Sequence, residues 1–263
     1  MKGLGIILFL SAVCLLLTGV ASAKLITQTV EYKQGDTVLE GYLAYDDSYS
    51  GKRPGVLVVH EWYGLGQHAK TKAEELARLG YVALAADIYG KGVRPQNNEE
   101  AAKTAGQFRG EDRQLLRARA LSGLNELKKQ PLVDPKKTAA IGFCFGGSTV
   151  LELARSGADV SGVVSFHGGL STPHPEDAKN IKAKVLALHG ADDPFVSAEE
   201  VKAFQEEMRQ AKVDWQFISY GGAVHSFTNP DAGTDNSKGA AYNPSADRRS
   251  WQAMQDFFKE IFK

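Results

Sequence analysis

Thr138-Ala-Ala-Ile-Gly-Phe-Cys-Phe-Gly-Gly147 is the stretch that decides the fold of this chain. Thr138–Gly142 reads as a short apolar strand, and Gly147–Arg155 reads as a helix. Between them, Gly142-Phe-Cys-Phe-Gly146 is a G-x-S-x-G turn with cysteine in place of serine. A strand that turns this sharply into a helix strains its central residue and leaves that side chain exposed at the end of the sheet. The flanking positions need glycine because a Cβ would clash there. The following helix aims its N-terminal N–H groups at the thiol, which favours the thiolate. The N–H of Phe145 is placed to hold a developing oxyanion. No serine elsewhere in the chain sits in such a turn. The alternative is a buried core cysteine beside ordinary turn glycines.

Working outward, Thr27–Tyr32 and Thr37–Tyr45 alternate apolar and polar residues around Gln34-Gly-Asp36, the pattern of a β-hairpin with one solvated face. Gly55–His60 shows no alternation, the mark of a parallel strand covered on both faces, and Tyr81–Ala86, Val160–Phe166 and Val185–His189 read as further buried strands. Helices are expected over about 67–79, 111–129, 196–211 and 250–262, with a further strand at Trp215–Ser219 and a long polar loop over 229–246. The order predicts one α/β domain over residues 24–263, with a mostly parallel sheet, an antiparallel start and helices on both faces.

Two further segments lie where an open α/β sheet places its chemistry, after the C-terminal ends of strands. Asp192-Asp-Pro-Phe-Val196 offers an acid able to orient a histidine, Asp193 first and Asp192 in reserve. Gly221-Gly-Ala-Val-His-Ser-Phe227 supplies His225 as a base. The order nucleophile, acid, histidine matches that of hydrolases built on this kind of turn. His167 is the nearest rival, but it falls between nucleophile and acid. His60 and His189 read as packing or hydrogen-bonding residues, and His68 and His174 as loop or helix-surface residues. No histidine spacing suggests a metal, and no cofactor is implied. His60-Glu-Trp-Tyr-Gly64 ends the first buried strand. There the N–H of Trp62 is the second oxyanion donor, and Glu61 is a carboxylate able to accept the thiol's proton.

The N-terminus has the form of a secretory signal. Lys2 precedes an apolar run over 4–20, and Ala21-Ser-Ala23 is a cleavage site before Lys24. An uncleaved anchor is the alternative. Export to the periplasm or beyond is therefore expected, with Cys144 the sole cysteine after loss of Cys14. One cysteine forms no internal disulfide and has no resolving partner, which disfavours a redox sensor. Lys+Arg and Asp+Glu each number 31, with 43% hydrophobic and 24% charged residues. That balance excludes an electrostatic footprint for nucleic acid, and no membrane contact is expected once the signal is cut. Oligomeric state is not read from the sequence.

The combination of His60–Gly64, Asp87-Ile-Tyr-Gly90, Gly142–Gly147, Asp192–Val196 and His225-Ser-Phe227 resembles the dienelactone hydrolase family of α/β-hydrolases over nearly all of residues 24–263. The resemblance implies a Cys144-His225-Asp193 triad and a Glu61 that contacts the resting thiol. Prototype members hold a substrate carboxylate with arginines, one of them four residues after the histidine; here that position is Asn229. Arg94 and Arg109 are the candidate substitutes, and neutral esters or lactones are the expected substrates. A non-catalytic binding protein on the same scaffold is the second reading, disfavoured by the presence of all three triad residues.

Overall fold

The computed structural model describes residues 24–263, so the export segment expected over 1–23 lies outside the described residues. The sheet strands are β1 (Leu25–Gln34), β2 (Thr37–Asp46), β3 (Arg53–Val59), β4 (Val82–Ala86), β5 (Val133–Phe143), β6 (Gly162–Phe166), β7 (Lys184–Gly190) and β8 (Trp215–Tyr220). The helices are α1 (Gln67–Arg78), α2 (Asn98–Gly106), α3 (Gln114–Lys129), α4 (Phe145–Arg155), α5 (Ala198–Gln210) and α6 (Pro244–Ile261). The strands lie in the order β1-β2-β4-β3-β5-β6-β7-β8. The β1–β2 hairpin joins antiparallel through β2 to β4, and all pairs from β4 to β8 are parallel. None of the described helices is long and apolar enough to cross a membrane.

Period-two alternation divides each parallel strand between two cores. Leu57, Val59, Leu84 and Ala86 pack with Leu116, Leu124 and Leu127 of α3 and Val150 and Leu153 of α4. Val56, Val58, Ala83 and Ala85 pack on the other side with Ala73 and Leu76 of α1 and Met254 and Phe258 of α6. Because both faces are covered, the parallel strands carry no regular polar alternation and read as buried.

Three elements depart most from expectation. Helix α2 is absent from the sequence reading because its only buried side chains are Ala101 and Ala105. Its start is a reciprocal cap: Glu100 N–H donates to Asn97 Oδ1 at 2.9 Å, and Asn97 Nδ2 donates back to Glu100 Oε1 at 2.8 Å. Strand β5 begins five residues early. Val133 and Asp134 pair with Arg53 and Pro54, the register then shifts, and Thr138 pairs with Gly55. The polar Pro135-Lys-Lys137 occupies that irregularity and conceals the earlier pairing. Helix α6 starts at Pro244, capped by Asn243 Oδ1 accepting the N–H groups of Ser245 and Ala246. The first turn is polar, so only the apolar stripe from Ser250 onward was legible.

Under the α3–α4 face lies a charged cluster that the sequence reading missed. Glu152 is fully buried and takes Arg117 Nε at 2.9 Å and Arg155 Nη1 at 3.1 Å. Arg155 holds Glu207 of α5 through two bonds of 2.7 and 2.8 Å, and Arg117 reaches Asp177 at 2.6 Å. Each carboxylate is paired, which offsets the cost of burying charge.

Candidate active site

The end of β5 meets α4 at Cys144, which has φ +54° and ψ −113°. The glycines around it are sterically compelled. A Cβ on Gly142 would stand 2.0 Å from Gly146 O, and one on Gly146 would stand 2.2 Å from Val59 O. The Cys144 N–H donates to Phe166 O at 3.0 Å and to Nδ1 of His167 at 3.1 Å. The Cys144 side chain is half-buried and faces a cavity of about 850 Å³ that also touches Glu61, Trp62, Arg109, Phe195 and His225.

The loops after β7 and β8 bring two of the expected residues together. His225 Nδ1 lies 2.8 Å from Asp193 Oδ2, and Asp193 Oδ1 accepts the N–H of Phe195 at 2.9 Å. Asp192 turns the other way and accepts the N–H of Gly222 at 3.0 Å, which ties the acid loop to the histidine loop. Burial opposes a charge on His225. The Cys144 sulfur and the Asp193 carboxylate outweigh it, and the pKa is pushed up to about 10. The raised pKa favours an imidazolium with its Nδ1–H on Asp193 and Cys144 beside the ring.

Both expected N–H donors are free of protein partners: neither Trp62 N–H nor Phe145 N–H donates to any described residue. His60 shows how the first is aimed. Its Nδ1 lies 2.6 Å from Glu61 O, and its Nε2 accepts the N–H of Ile88 at 3.2 Å. An amide only donates and a carbonyl only accepts, so the proton sits on Nδ1. Burial pushes the His60 pKa down to about 4, which keeps the ring neutral. In a trans peptide the C=O and the next N–H point oppositely. Holding Glu61 C=O toward His60 therefore turns Trp62 N–H away from it. Tyr89 Oη donates to Trp62 O at 2.9 Å and anchors the next peptide.

Glu61 differs from expectation in its partners. Its Oε2 accepts from Asn229 Nδ2 at 2.7 Å and lies 3.5 Å from His68 Nδ1, so its hydrogen bonding goes there and not to the thiol. His68 is accordingly no surface residue. Its side chain is 11% exposed, packs edge-on to Phe143 and places Nε2 3.2 Å from Thr228 O. His167 is fully buried under the site, with Nε2 2.8 Å from Thr228 Oγ1. His189 is buried beside Phe217, and His174 stays on the surface near Glu176. Arg94 spends its donors on the carbonyls of Leu65 and Val93, whereas Arg109 lines the cavity with its guanidinium 6.0 Å from the centroid of the Phe145 ring. Arg113, which lines the same cavity, went unremarked in the sequence because it sits in a left-handed cap before α3 rather than in a motif. No group of three or more His, Cys, Asp or Glu among the described residues is arranged to hold a metal ion.

The family model for the dienelactone hydrolase family matches residues 39–262. The chain belongs to the dienelactone hydrolase family. A Yersinia pestis protein named "Putative carboxymethylenebutenolidase" is 29% identical over 248 residues, covering 89% of this chain and 87% of that protein. The crystal structure of a dienelactone hydrolase-like promiscuous phosphotriesterase from metagenomic libraries is 46% identical. It has a TM-score of 0.87 and covers 91% of this chain and 99% of that one. The dienelactone hydrolase of Anabaena variabilis, at 20% identity and a TM-score of 0.67 over 91% of this chain and 99% of that one, shares the fold. This member of the family is a hydrolase with an α/β-hydrolase fold.

Proposed function

We propose that this dienelactone hydrolase family member is an exported thiol hydrolase of small carboxylic esters or lactones. The observation that carries the reading is the 2.8 Å contact of Asp193 with a His225 whose other neighbour is the Cys144 sulfur. In the reaction, the Cys144 thiolate attacks the acyl carbon, and the C–S bond forms as the carbonyl oxygen becomes an oxyanion. The N–H groups of Phe145 and Trp62 receive that charge. Collapse expels the alkoxide, which takes the proton of His225; in a lactone the alcohol stays tethered to the acyl group. Neutral His225 then takes a proton from water, the hydroxide attacks the thioester, and the acid leaves with the thiolate restored. Asp193 holds His225 Nδ1–H throughout. No step calls for a cofactor.

A panel of small aryl esters and lactones, assayed with the wild type and Cys144→Ala, tests this directly. Loss of turnover in the variant and an acyl adduct on Cys144 by mass spectrometry are expected. Full activity in Cys144→Ala would overturn it. Cys144→Ser should fold and turn over slowly, since the hydroxyl is a weaker nucleophile at neutral pH. N-terminal sequencing of protein from its native host should begin at Lys24, and a start at Met1 would remove export from the reading.

A second activity is favoured by the 46% identity to the promiscuous phosphotriesterase. The same thiolate can attack the phosphorus of a neutral aryl phosphotriester, forming S–P as the aryloxide leaves, with water later releasing the phosphodiester. Turnover of such a triester by the wild type and not by Cys144→Ala is the expected result.

A further inference from the structure

Glu61 and His68 present a proton-counting problem. Thr228 O can only accept, so the His68 nitrogen facing it at 3.2 Å, Nε2, carries a hydrogen. The other nitrogen, Nδ1, is buried, has no hydrogen-bond partner and faces Glu61 Oε2 at 3.5 Å. With no proton in that gap, a lone pair would face an ionised carboxylate inside the protein. The side chains are only 11% and 15% exposed, so water screens little of that repulsion. Among the described residues no Lys or Arg pairs with Glu61, and its remaining contact is the neutral amide of Asn229. One proton between the two groups resolves both problems. It either makes His68 an imidazolium on an ionised Glu61, or sits on Glu61 and is donated to Nδ1. The pair is uncharged in both forms.

We infer that His68 and Glu61 share one proton and stand beside Cys144 as a single uncharged unit, which makes His68 a positioning residue that cancels the carboxylate's charge near the reactive sulfur. The inference rests on the proposed role of Cys144 as a thiolate nucleophile. The other charges around His68 are already matched. On α1, Lys72 lies 3.1 Å from Glu75 and 3.7 Å from Asp247 of α6. His225 faces Asp193 and the Cys144 sulfur. At the end of β6, His167 is kept neutral by burial and by its neighbours His225 and His68. An unpaired Glu61 carboxylate would put a buried negative charge into the cavity that Cys144 faces, and it would disfavour a thiolate there.

The test reads the thiol without any ester. Alkylation of Cys144 by iodoacetamide is followed against pH in the full chain. His68→Gln should move the midpoint of the profile up by about one pH unit and slow alkylation at pH 7 roughly tenfold. Adding Glu61→Gln to that variant should return the profile to the wild-type position. A His68→Gln profile that superimposes on the wild type, or a double variant that is not restored, overturns the inference. ¹⁵N-histidine NMR of the wild type and Glu61→Gln keeps the question decidable even where His68→Gln does not fold. The His68 Nδ1 signal should lose its protonated or shared character in Glu61→Gln, and an unchanged signal would overturn the pair. Ester turnover in Cys144→Ala separately decides the proposed function, so the two can fail independently.

Discussion

Nδ1 of His167 accepts the backbone N–H of Cys144 at 3.1 Å, so a ring at the end of β6 holds the turn at the end of β5. The same ring, with Nε2 as donor, reaches Thr228 Oγ1 in the loop that carries His225. His167 itself has φ +40°, a left-handed conformation that a non-glycine residue adopts at a cost. One buried side chain thereby ties the cysteine turn to the histidine loop. His167→Leu is expected to lower kcat on the order of 10²-fold with a smaller change in KM, since small misplacements of reacting groups cost about that much. His167→Asn, which keeps an acceptor near the Nδ1 position, should recover part of the loss. Equal kcat in His167→Leu and the wild type would show that the turn holds its geometry without the ring.

Asp193 and Asp192 should separate cleanly. Asp193→Asn removes the acceptor on His225 Nδ1 and is expected to cost on the order of 10⁴-fold in turnover, by analogy with the serine triad. Asp192→Asn keeps an oxygen to accept the Gly222 N–H and should stay within about tenfold of the wild type. A crippled Asp192→Asn beside a mild Asp193→Asn would reverse the assignment.

Acid stability should depend on His60. Its folded pKa is about 4 because burial disfavours the imidazolium, against roughly 6.5 in an unfolded chain. Between those values the unfolded state binds more protons, so stability falls as pH drops from about 6.5 to about 4. The contribution is on the order of 3 kcal/mol over that window. Urea unfolding at pH 7 and pH 4.5 should show a shallower acid loss in His60→Gln, whose side chain does not titrate. Identical slopes in variant and wild type would exclude His60 as the source. The opposite sign applies to His225. With a folded pKa near 10, its contribution is present at neutral pH and below and is lost as pH rises through about 10.

Glu152 is predicted to be a stability residue. It is fully buried between Arg117 and Arg155. Glu152→Ala leaves those guanidinium groups short of an acceptor and should cost about 3–5 kcal/mol, seen as a lower urea midpoint. Any folded variant should retain ester turnover, because no bond runs from Glu152 to Cys144 or His225. A midpoint unchanged from wild type would mean the cluster relaxes around the loss.

Substrate charge turns on Arg109. Asn229 is spent on Glu61 and Arg94 on backbone carbonyls, so Arg109, beside the Phe145 ring, and Lys238 are the exposed cations of the cavity that have no ion-pair partner among the described residues. A neutral ester is expected to have a kcat/KM at least equal to that of its carboxylate-bearing analogue. A clear preference for the anion that disappears in Arg109→Ala would show that this arginine grips a carboxylate, as a bidentate contact can.

The sequence by itself determined the elements whose signal is local. Largely apolar runs marked β3, β4, β6 and β7, and Gly142 and Gly146 marked a turn that a Cβ would close. Those patterns survive because burial on both faces and steric exclusion act on each residue independently of its partners. Helix α2 and the start of β5 were illegible for the converse reason. Alanines carry little hydrophobic signal, and Val133–Asp134 gain their strand only by pairing with Arg53–Pro54. The choice between Asp193 and Asp192, adjacent and chemically equal, was made by which carboxylate the loop after β7 presents to His225 in the loop after β8. The places of His68 and His167 depend on contacts with residues 160 and 61 positions away along the chain, both to Thr228. A lone histidine carries no periodicity to announce such a contact. Only the packing of three loops at the C-terminal ends of the strands decides whether its ring meets a carboxylate, a backbone carbonyl or solvent.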